Sequence, residues 1–158
     1  MLTRRIVLAA GAASLAGCSA SALQLPASTF AFRGPAPTGT LDAVNAARGS
    51  GGRGPMRIDS AAQRAAERHA RDMARARRMA HELPEGLRFQ PRMERDRVPL
   101  PAAENVAVGQ RDVAAAVTAW MNSPGHRRNM LDERFDGVGV ASARGEDGRL
   151  YWAMVLVE

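Results

Sequence analysis

The strongest constraint on this chain is an alanine-rich stretch that runs from Ser60 to about Ala80. It opens with Ser60-Ala61-Ala62-Gln63, which has the form of a capping box for the first turn of a helix. Small apolar residues and one histidine then recur at alternating steps of four and three, as one face of a helix requires. That face holds Ala62, Ala66, His69, Met73, Ala76 and Ala80. We therefore predict a long amphipathic helix with His69 as a core residue.

An adjoining stripe of the same predicted helix is basic. It consists of Arg64, Arg68, Arg71, Arg75 and Arg78. Glu67 and Asp72 lie within reach of this stripe for ion pairs along the helix. The pattern fits both a solvated face with internal ion pairs and a surface that docks an acidic partner.

Weaker patterns outline the rest of the domain. The predicted elements are a helix from Thr40 to Arg48, at most a short helix around Phe89 to Arg95, a helix that opens at Arg111-Asp112 and ends before Pro124, a short helix from Arg127 to Leu131, and strands from Gly137 to Ala143 and from Leu150 to Val157. A charged, glycine-containing loop joins the two strands and indicates a hairpin. These residue patterns by themselves predict a mixed α and β domain.

The first residues predict export from the cytoplasm. Arg4 and Arg5 form a positive segment, and the apolar run from Ile6 to Ala16 follows it in the order of a secretory signal. The run falls short of the roughly 20 residues that a membrane-spanning helix needs. Thr3-Arg4-Arg5-Ile6-Val7 also resembles a twin-arginine signal, and paired arginines are common in ordinary signals, so the export route stays open.

The apolar run ends in Leu15-Ala16-Gly17-Cys18, which resembles a bacterial lipobox, where the cysteine thiol receives diacylglycerol. A free or buried thiol is the alternative interpretation. Cys18 is the only cysteine, so once lipidated it leaves no thiol for a disulfide or a thiolate metal site. Ser19 stands where an aspartate would resemble an inner-membrane retention signal. We therefore expect an exported lipoprotein, on the periplasmic face of the outer membrane if the cell is Gram-negative.

These boundaries divide the chain into a signal peptide over residues 1–17, a flexible Ser, Ala, Pro and Gly-rich tether over 18–39, and one domain over 40–158. Every one of the 22 basic residues is arginine, against 16 acidic residues, so the chain is basic. An exported domain meets little nucleic acid, and the chain carries no motif that reads it. We expect a monomer whose partner is the membrane, through the lipid on Cys18, and no nucleic acid.

Three blocks of sequence carry a family resemblance. They are Met79-Ala80-His81, Ala103-Glu104-Asn105-Val106-Ala107 and the run from Trp120 to Leu131, with Asn45-Ala46-Ala47-Arg48 before them and Gly137-Val138-Gly139 after them. In order and spacing they resemble the CAP superfamily, which includes cysteine-rich secretory proteins, venom antigen 5, plant pathogenesis-related proteins and bacterial exported proteins. The resemblance covers about Leu41 to Leu156. It implies an α+β fold, a three-layer α-β-α sandwich of CAP type in a single domain.

The resemblance also implies a site. The family cavity is lined by two histidines and two glutamates, and His81, Glu104 and His126 match three of these positions. The fourth does not match, as in many bacterial members, because Met121 and Asn122 follow Trp120 where animal and plant members place a glutamate. Two imidazoles and a carboxylate can bind zinc and leave a position open for water, as a metal-dependent hydrolase requires.

The alternative for the same residues is a hydrogen-bonded polar cluster in which Asn105 and Asn129 satisfy backbone groups. Our leading expectation is a non-enzymatic envelope lipoprotein that binds a lipid, sterol or cell-wall glycan in a groove. The groove residues are His81, Glu104, Asn105, His126 and Asn129. A hydrolase with the same triad, and an interaction module that docks an acidic envelope polymer on the arginine stripe, are the rival hypotheses.

Overall fold

The computed structural model describes residues 37–84 and 87–158. The predicted signal peptide and Cys18 therefore lie outside the described residues. The elements are α1 (Thr40–Ser50), β1 (Arg57–Ile58), α2 (Ser60–Ala76), α3 (Phe89–Asp96), β2 (Ala102–Val108), α4 (Val113–Asn122), α5 (Pro124–Met130), β3 (Gly137–Arg144) and β4 (Leu150–Val157). Within the part of the chain that is described, no helix has the length and apolar character needed to cross a membrane.

A mixed sheet of four strands forms the centre of the domain, in the order β1-β3-β4-β2. β1 runs parallel to β3, and the other neighbours are antiparallel. β4 is a central strand whose side chains alternate between two cores: Tyr151 and Val155 belong to one, Trp152 and Met154 to the other. Because both of its faces are buried, β4 is apolar along its length instead of alternating with polar residues.

Helices cover both faces of this sheet. α2 and α3 form the core on one face, with Ala66 and Met93 among its buried residues. α1, α4 and α5 form the core on the opposite face, with Val44, Trp120 and Met130. This is the predicted three-layer α-β-α arrangement in a single domain, and that prediction is confirmed.

The long helix differs from its prediction at both ends. Its N-terminal cap is Asp59, whose carboxylate accepts hydrogen bonds from the N–H groups of Ala61 and Ala62, both at 2.9 Å. Gln63 does not close a capping box. Its side-chain amide instead pairs with both the C=O and the N–H of Val140, at 3.1 and 3.0 Å. The helix stops at Ala76 because the next residue, Arg77, adopts a left-handed conformation with φ 49°.

Gly139 explains why α2 presents such small residues to the sheet. A Cβ atom at Gly139 would lie 2.2 Å from the backbone carbon of Ala62 and 2.2 Å from the nitrogen of Gln63. The backbone of α2 therefore rests directly on β3, which leaves room for no side chain there. This contact fixes the position of α2, and with it that of the chain that continues to His81.

α5 is held in place by a buried arginine on the other face of the sheet. The guanidinium of Arg48 donates hydrogen bonds to the carbonyl oxygens of Gly54 at 2.8 Å, Met130 at 2.6 Å and Phe135 at 3.2 Å. Burial, and then repulsion from Arg53, lower the pKa of Arg48. The contact joins the end of α1 to the end of α5, which begins at Pro124, three residues earlier than predicted.

Candidate functional site

The predicted site lies on β2, the edge strand where the two helical layers approach each other. Val106 belongs to the core beneath α2 and α3, whereas Ala107 belongs to the core beneath α4 and α5. Because side chains alternate along a strand, Glu104 shares the face of Val106 and Asn105 shares the face of Ala107. The side chains of two adjacent polar residues of β2 thus point towards opposite helical layers.

Glu104 forms a buried ion pair with Arg92 of α3. Both side chains are 2 % exposed, and the two terminal guanidinium nitrogens of Arg92 lie 2.7 and 3.1 Å from the two carboxylate oxygens. Arg92 also donates to the carbonyl oxygen of His81 at 2.8 Å. Burial alone would raise the pKa of Glu104, but the hydrogen bonds from His81 and Arg92 outweigh it and lower that pKa. The carboxylate is therefore ionised and fully engaged.

His81 and His126 form a pair of imidazoles at the protein surface. Nδ1 of His81 lies 3.1 Å from Glu104 Oε1. An ionised carboxylate only accepts hydrogen bonds, so Nδ1 of this half-exposed ring carries a proton and donates it to Glu104. The ring centroids of His81 and His126 are 6.0 Å apart. Partial burial and the nearby His81 lower the pKa of His126, which favours its neutral form.

Two asparagines fasten α5 to β2. The Asn105 side chain is buried and donates to the carbonyl oxygen of His126 at 3.1 Å. Asn129 donates to Asn105 Oδ1 at 2.9 Å and to the carbonyl oxygen of Glu104 at 3.4 Å. The structure thus brings all five predicted groove residues together. The two amides satisfy backbone groups, so they position the imidazoles.

His69 is a core residue as predicted, with a side chain that is fully buried. Its Nε2 lies 3.0 Å from the carbonyl oxygen of Ala80 and 3.5 Å from Glu104 Oε1. Nδ1 is buried without a hydrogen-bond partner among the described residues. Burial lowers the pKa of His69, so the ring is neutral. The sequence did not reveal that this histidine also touches the site carboxylate.

Side chains cover the outer edge of β2. Nε1 of Trp120 donates to the carbonyl oxygen of Val106 at 3.1 Å, and Asn129 covers the preceding outward carbonyl of Glu104. Two outward carbonyl groups of this edge strand are therefore occupied by side chains. Trp120, Tyr151 and Trp152 are all buried, in agreement with their interpretation as core residues.

The model of the cysteine-rich secretory protein family, CAP, matches residues 41–156 of this chain. The chain belongs to the CAP family. Its match therefore extends over both helical layers and the whole sheet. The predicted site residues His81, Glu104 and His126 all lie within this CAP domain.

Similar proteins come from bacteria. The Bacillus subtilis protein YkwD is 34 % identical over 101 residues, which are 63 % of this chain and 39 % of YkwD. The crystal structure of an extracellular SCP-domain protein from Bacillus anthracis is 28 % identical with a TM-score of 0.67, and the match covers 77 % of this chain and 40 % of that one. An outer surface protein of Borrelia burgdorferi shares the fold at 20 % identity and a TM-score of 0.64, over 73 % of this chain and 86 % of that one.

The CAP domain spans about two fifths of the first two of these relatives. The likeness to them therefore concerns the domain and not their whole length. Two of the three are extracellular or surface proteins by description. Location outside the cytoplasm is thus common among the proteins that this domain resembles.

The cluster does not fit a metal site in which His81, Glu104 and His126 are all ligands. Across residues 37–84 and 87–158, no group of three or more His, Cys, Asp or Glu side chains is arranged to hold a metal ion. Both oxygens of Glu104 already accept hydrogen bonds from Arg92. A metal at Glu104 would have to replace a buried guanidinium, which would leave that charge uncompensated.

The arginine stripe of α2 is partly occupied by contacts within the domain. Nε of Arg68 lies 2.9 Å from Oδ1 of Asp96, whose side chain is buried. Arg71 donates to the carbonyl oxygen of Glu67 at 3.1 Å, and Arg75 lies 3.7 Å from Asp72. Arg68 therefore compensates a buried carboxylate, as well as presenting charge to solvent.

Proposed function

We propose that this protein is a non-enzymatic binding module of the cell envelope, anchored by a lipid on Cys18. Its ligand binds at the imidazole pair of His81 and His126. The observation that supports this most directly is the Arg92–Glu104 ion pair, which fixes Nδ1 of the half-exposed His81 and leaves Nε2 facing away from the carboxylate. A preorganised pair of rings binds by hydrogen bonding with little ordering cost. The extracellular and surface relatives support the export of the domain.

Among a lipid, a sterol and a cell-wall glycan, the lining of the site favours the glycan. The polar groups that reach the surface here are the imidazoles of His81 and His126, and a buried carboxylate, guanidinium and amide hold them from the interior. A neutral imidazole has one donor and one acceptor nitrogen, which match the hydroxyl groups of a sugar. A lipid tail or a sterol ring would offer no hydrogen-bonding partner to the two imidazole rings.

The test is binding of soluble peptidoglycan fragments to the purified full chain, measured by calorimetry. We expect His81→Ala and His126→Ala each to weaken binding by about tenfold, because each removes a hydrogen bond of roughly 1–1.5 kcal/mol. Gln90→Ala is the matched control, since this exposed side chain donates a hydrogen bond to Glu94 on the surface of α3 and to no other described residue. Full binding by both histidine variants would contradict the assignment of the groove.

The rival function is a metal-dependent hydrolase that uses His81, Glu104 and His126. The ion pair between Glu104 and Arg92 counts against it, because the carboxylate is neither free to ligate a metal nor free to accept a proton. A zinc titration of the full chain separates the two functions. We expect no stoichiometric zinc; stoichiometric zinc that is lost in His81→Ala and His126→Ala would favour the hydrolase.

A docking surface for an acidic envelope polymer on the arginine stripe is less well supported. Arg68 and Arg75 already pair with Asp96 and Asp72. Charge reversal at Arg68 would also expose the buried Asp96 to repulsion, and so would disturb folding. Arg64 is the cleaner probe, because it is exposed and no described residue pairs with its side chain.

A further inference from the structure

The short helix α5 has two faces, and only one of them contributes to the site already described. His126 and Asn129 lie on the face towards β2. Pro124, Arg127 and Arg128 lie on the other face, where, with Leu131, they line a cleft of about 520 Å³. Their spacing of three and four residues places these side chains side by side on a helix. We call this depression the α5 cleft.

The α5 cleft carries uncompensated positive charge. Arg127 and Arg128 are exposed, and their guanidinium groups form no hydrogen bond or ion pair with any described residue. Arg53, from the loop after α1, also lines the cleft. It pairs with the exposed Glu133, but its Nε atom is buried and has no hydrogen-bond partner within the described ranges.

One carboxylate lines the cleft as well, that of Asp132. It is already engaged, because both of its oxygens accept hydrogen bonds from Arg134, the shortest at 2.7 Å. These bonds lower the pKa of Asp132 to about 2, so it remains an ionised partner of Arg134. It does not offset the charges of Arg127 and Arg128.

The same cleft is lined by apolar side chains. Met121 and Pro124 contribute to it from the end of α4 and the start of α5, and Leu131 from the end of α5. Leu131 is only half-buried and packs against the loop, since a Cβ atom at Gly51 would lie 2.6 Å from it. Apolar surface beside unpaired guanidinium groups suits a ligand with an anionic group attached to a hydrocarbon part.

We propose that the α5 cleft binds an anionic membrane phospholipid, with Arg127 and Arg128 on the phosphate and the apolar side chains against the adjoining carbons. Guanidinium groups bind phosphate oxygens in pairs of parallel hydrogen bonds, which favours a phosphodiester over a diffuse charge. This inference goes beyond the proposed function, because the cleft shares no residue with the imidazole pair. A lipid bound here would turn a defined face of the domain towards the membrane.

The test is a titration of the isotopically labelled full chain, carrying Cys18→Ser to exclude any acyl group, with monomeric dihexanoylphosphatidylglycerol. We expect amide shifts in α5 and in the loop that holds Arg53. Arg127→Gln with Arg128→Gln should weaken binding by about tenfold to thirtyfold, from roughly 1 kcal/mol for each arginine near a lipid phosphate. The matched control is Arg64→Gln with Arg78→Gln, which removes the same charge from exposed positions elsewhere and should leave the affinity unchanged.

Three results would overturn the proposal. The first is equal binding of dihexanoylphosphatidylcholine, which would remove the role of the anionic group. The second is equal binding of glycerol 3-phosphate, which would make the cleft a site for free phosphate. The third is an equal loss of affinity in the cleft and control variants, or no loss in either. Peptidoglycan-fragment binding by the cleft variant, and lipid binding by His81→Ala, keep this test separate from that of the imidazole pair.

Discussion

Arg92 and Glu104 face each other as a fork of two nitrogens against two oxygens, at 2.7 and 3.1 Å, with both side chains buried. Each charge is tolerated in the interior only because the other is present. The pair connects α3 to β2, and Arg92 reaches further to the backbone of His81. The ion pair therefore holds the half-exposed ring of His81 from the interior of the domain.

The first prediction concerns this ion pair. Arg92→Met should lower the free energy of unfolding by about 3–5 kcal/mol, because it leaves the buried carboxylate without its counter-charge. Urea denaturation measures the loss. The double variant Arg92→Met with Glu104→Leu should recover much of it, since neither member of the pair then carries a charge. A single variant within about 1 kcal/mol of the parent chain would show that water reaches Glu104.

The second prediction concerns acid. Burial lowers the pKa of His69 from its ordinary 6.5, even though Glu104 opposes that shift. Between the folded and unfolded pKa values, His69 is protonated in the unfolded chain and neutral in the folded one. Its neutral form therefore contributes stability that is complete above pH 6.5 and is lost as the pH falls below that value. The pKa of Glu104 is lowered from 4.5 in the folded chain. Protonation of Glu104 therefore causes a second loss of stability as the pH falls from 4.5 towards the folded pKa.

The free energy of unfolding, measured by denaturant titration at a series of pH values, checks this order. One proton contributes a slope of at most about 1.4 kcal/mol per pH unit. His69→Gln should reduce the slope that begins near pH 6.5, and Glu104→Gln the slope that begins near 4.5. His126 also has a lowered pKa, so His126→Gln is the control for its share of the first slope. An unchanged slope in His69→Gln would contradict the assignment.

The third prediction tests the contact between α2 and β3. Gly139→Ala places a Cβ atom 2.2 Å from backbone atoms of Ala62 and Gln63, and neither backbone can rotate away as a side chain does. We expect a loss of roughly 3 kcal/mol, the upper range for overpacking, seen as a lower melting temperature. Gly54→Ala is the matched control, because nothing lies within 4 Å of its added Cβ atom. Equal melting temperatures for the two variants would mean that α2 can move away from the sheet.

The elements predicted from the sequence are those with a regular or continuous apolar pattern. The face of α2 follows from helical periodicity, the strands β3 and β4 follow from continuous β-rich runs, and the short helix predicted around Phe89 to Arg95 corresponds to α3. β2 was not predicted as a strand, because Glu104 and Asn105 interrupt its apolar pattern. These polar residues are buried only because Arg92 and Asn129 meet them from elsewhere in the chain. The periodicity of one segment does not indicate which residues from elsewhere in the chain will contact it.

The residues of the site also divide into those that were predicted and those that were not. His81, Glu104 and His126 were found by family resemblance, which records residue types at matching positions. Arg92 was missed, since an arginine on a short, charged helix ordinarily faces solvent. The general signal for it is that a buried carboxylate needs a counter-charge. That signal becomes useful only once Glu104 is known to be buried.

The last prediction concerns Arg48, which contacts the C-terminal end of α5. Its guanidinium donates to the carbonyl oxygens of Met130 and Phe135 as well as to that of Gly54. Arg48→Lys keeps the charge but replaces a planar fork by a single ammonium, which cannot span these separate acceptors. We expect a loss of about 2–3 kcal/mol, from one or two buried carbonyl groups left without donors, measured by thermal unfolding.

The same substitution should reach the imidazole pair through α5. If Arg48 fixes the end of this helix, Arg48→Lys will shift the ring resonances of His126 in an NMR spectrum, while those of the fully buried His69 remain in place. Arg111→Lys is the control, because Arg111 is exposed and, among the described residues, pairs only with its neighbour Asp112. Unchanged His126 resonances in a destabilised Arg48→Lys protein would show that Asn105 and Asn129 hold α5 against β2 without Arg48.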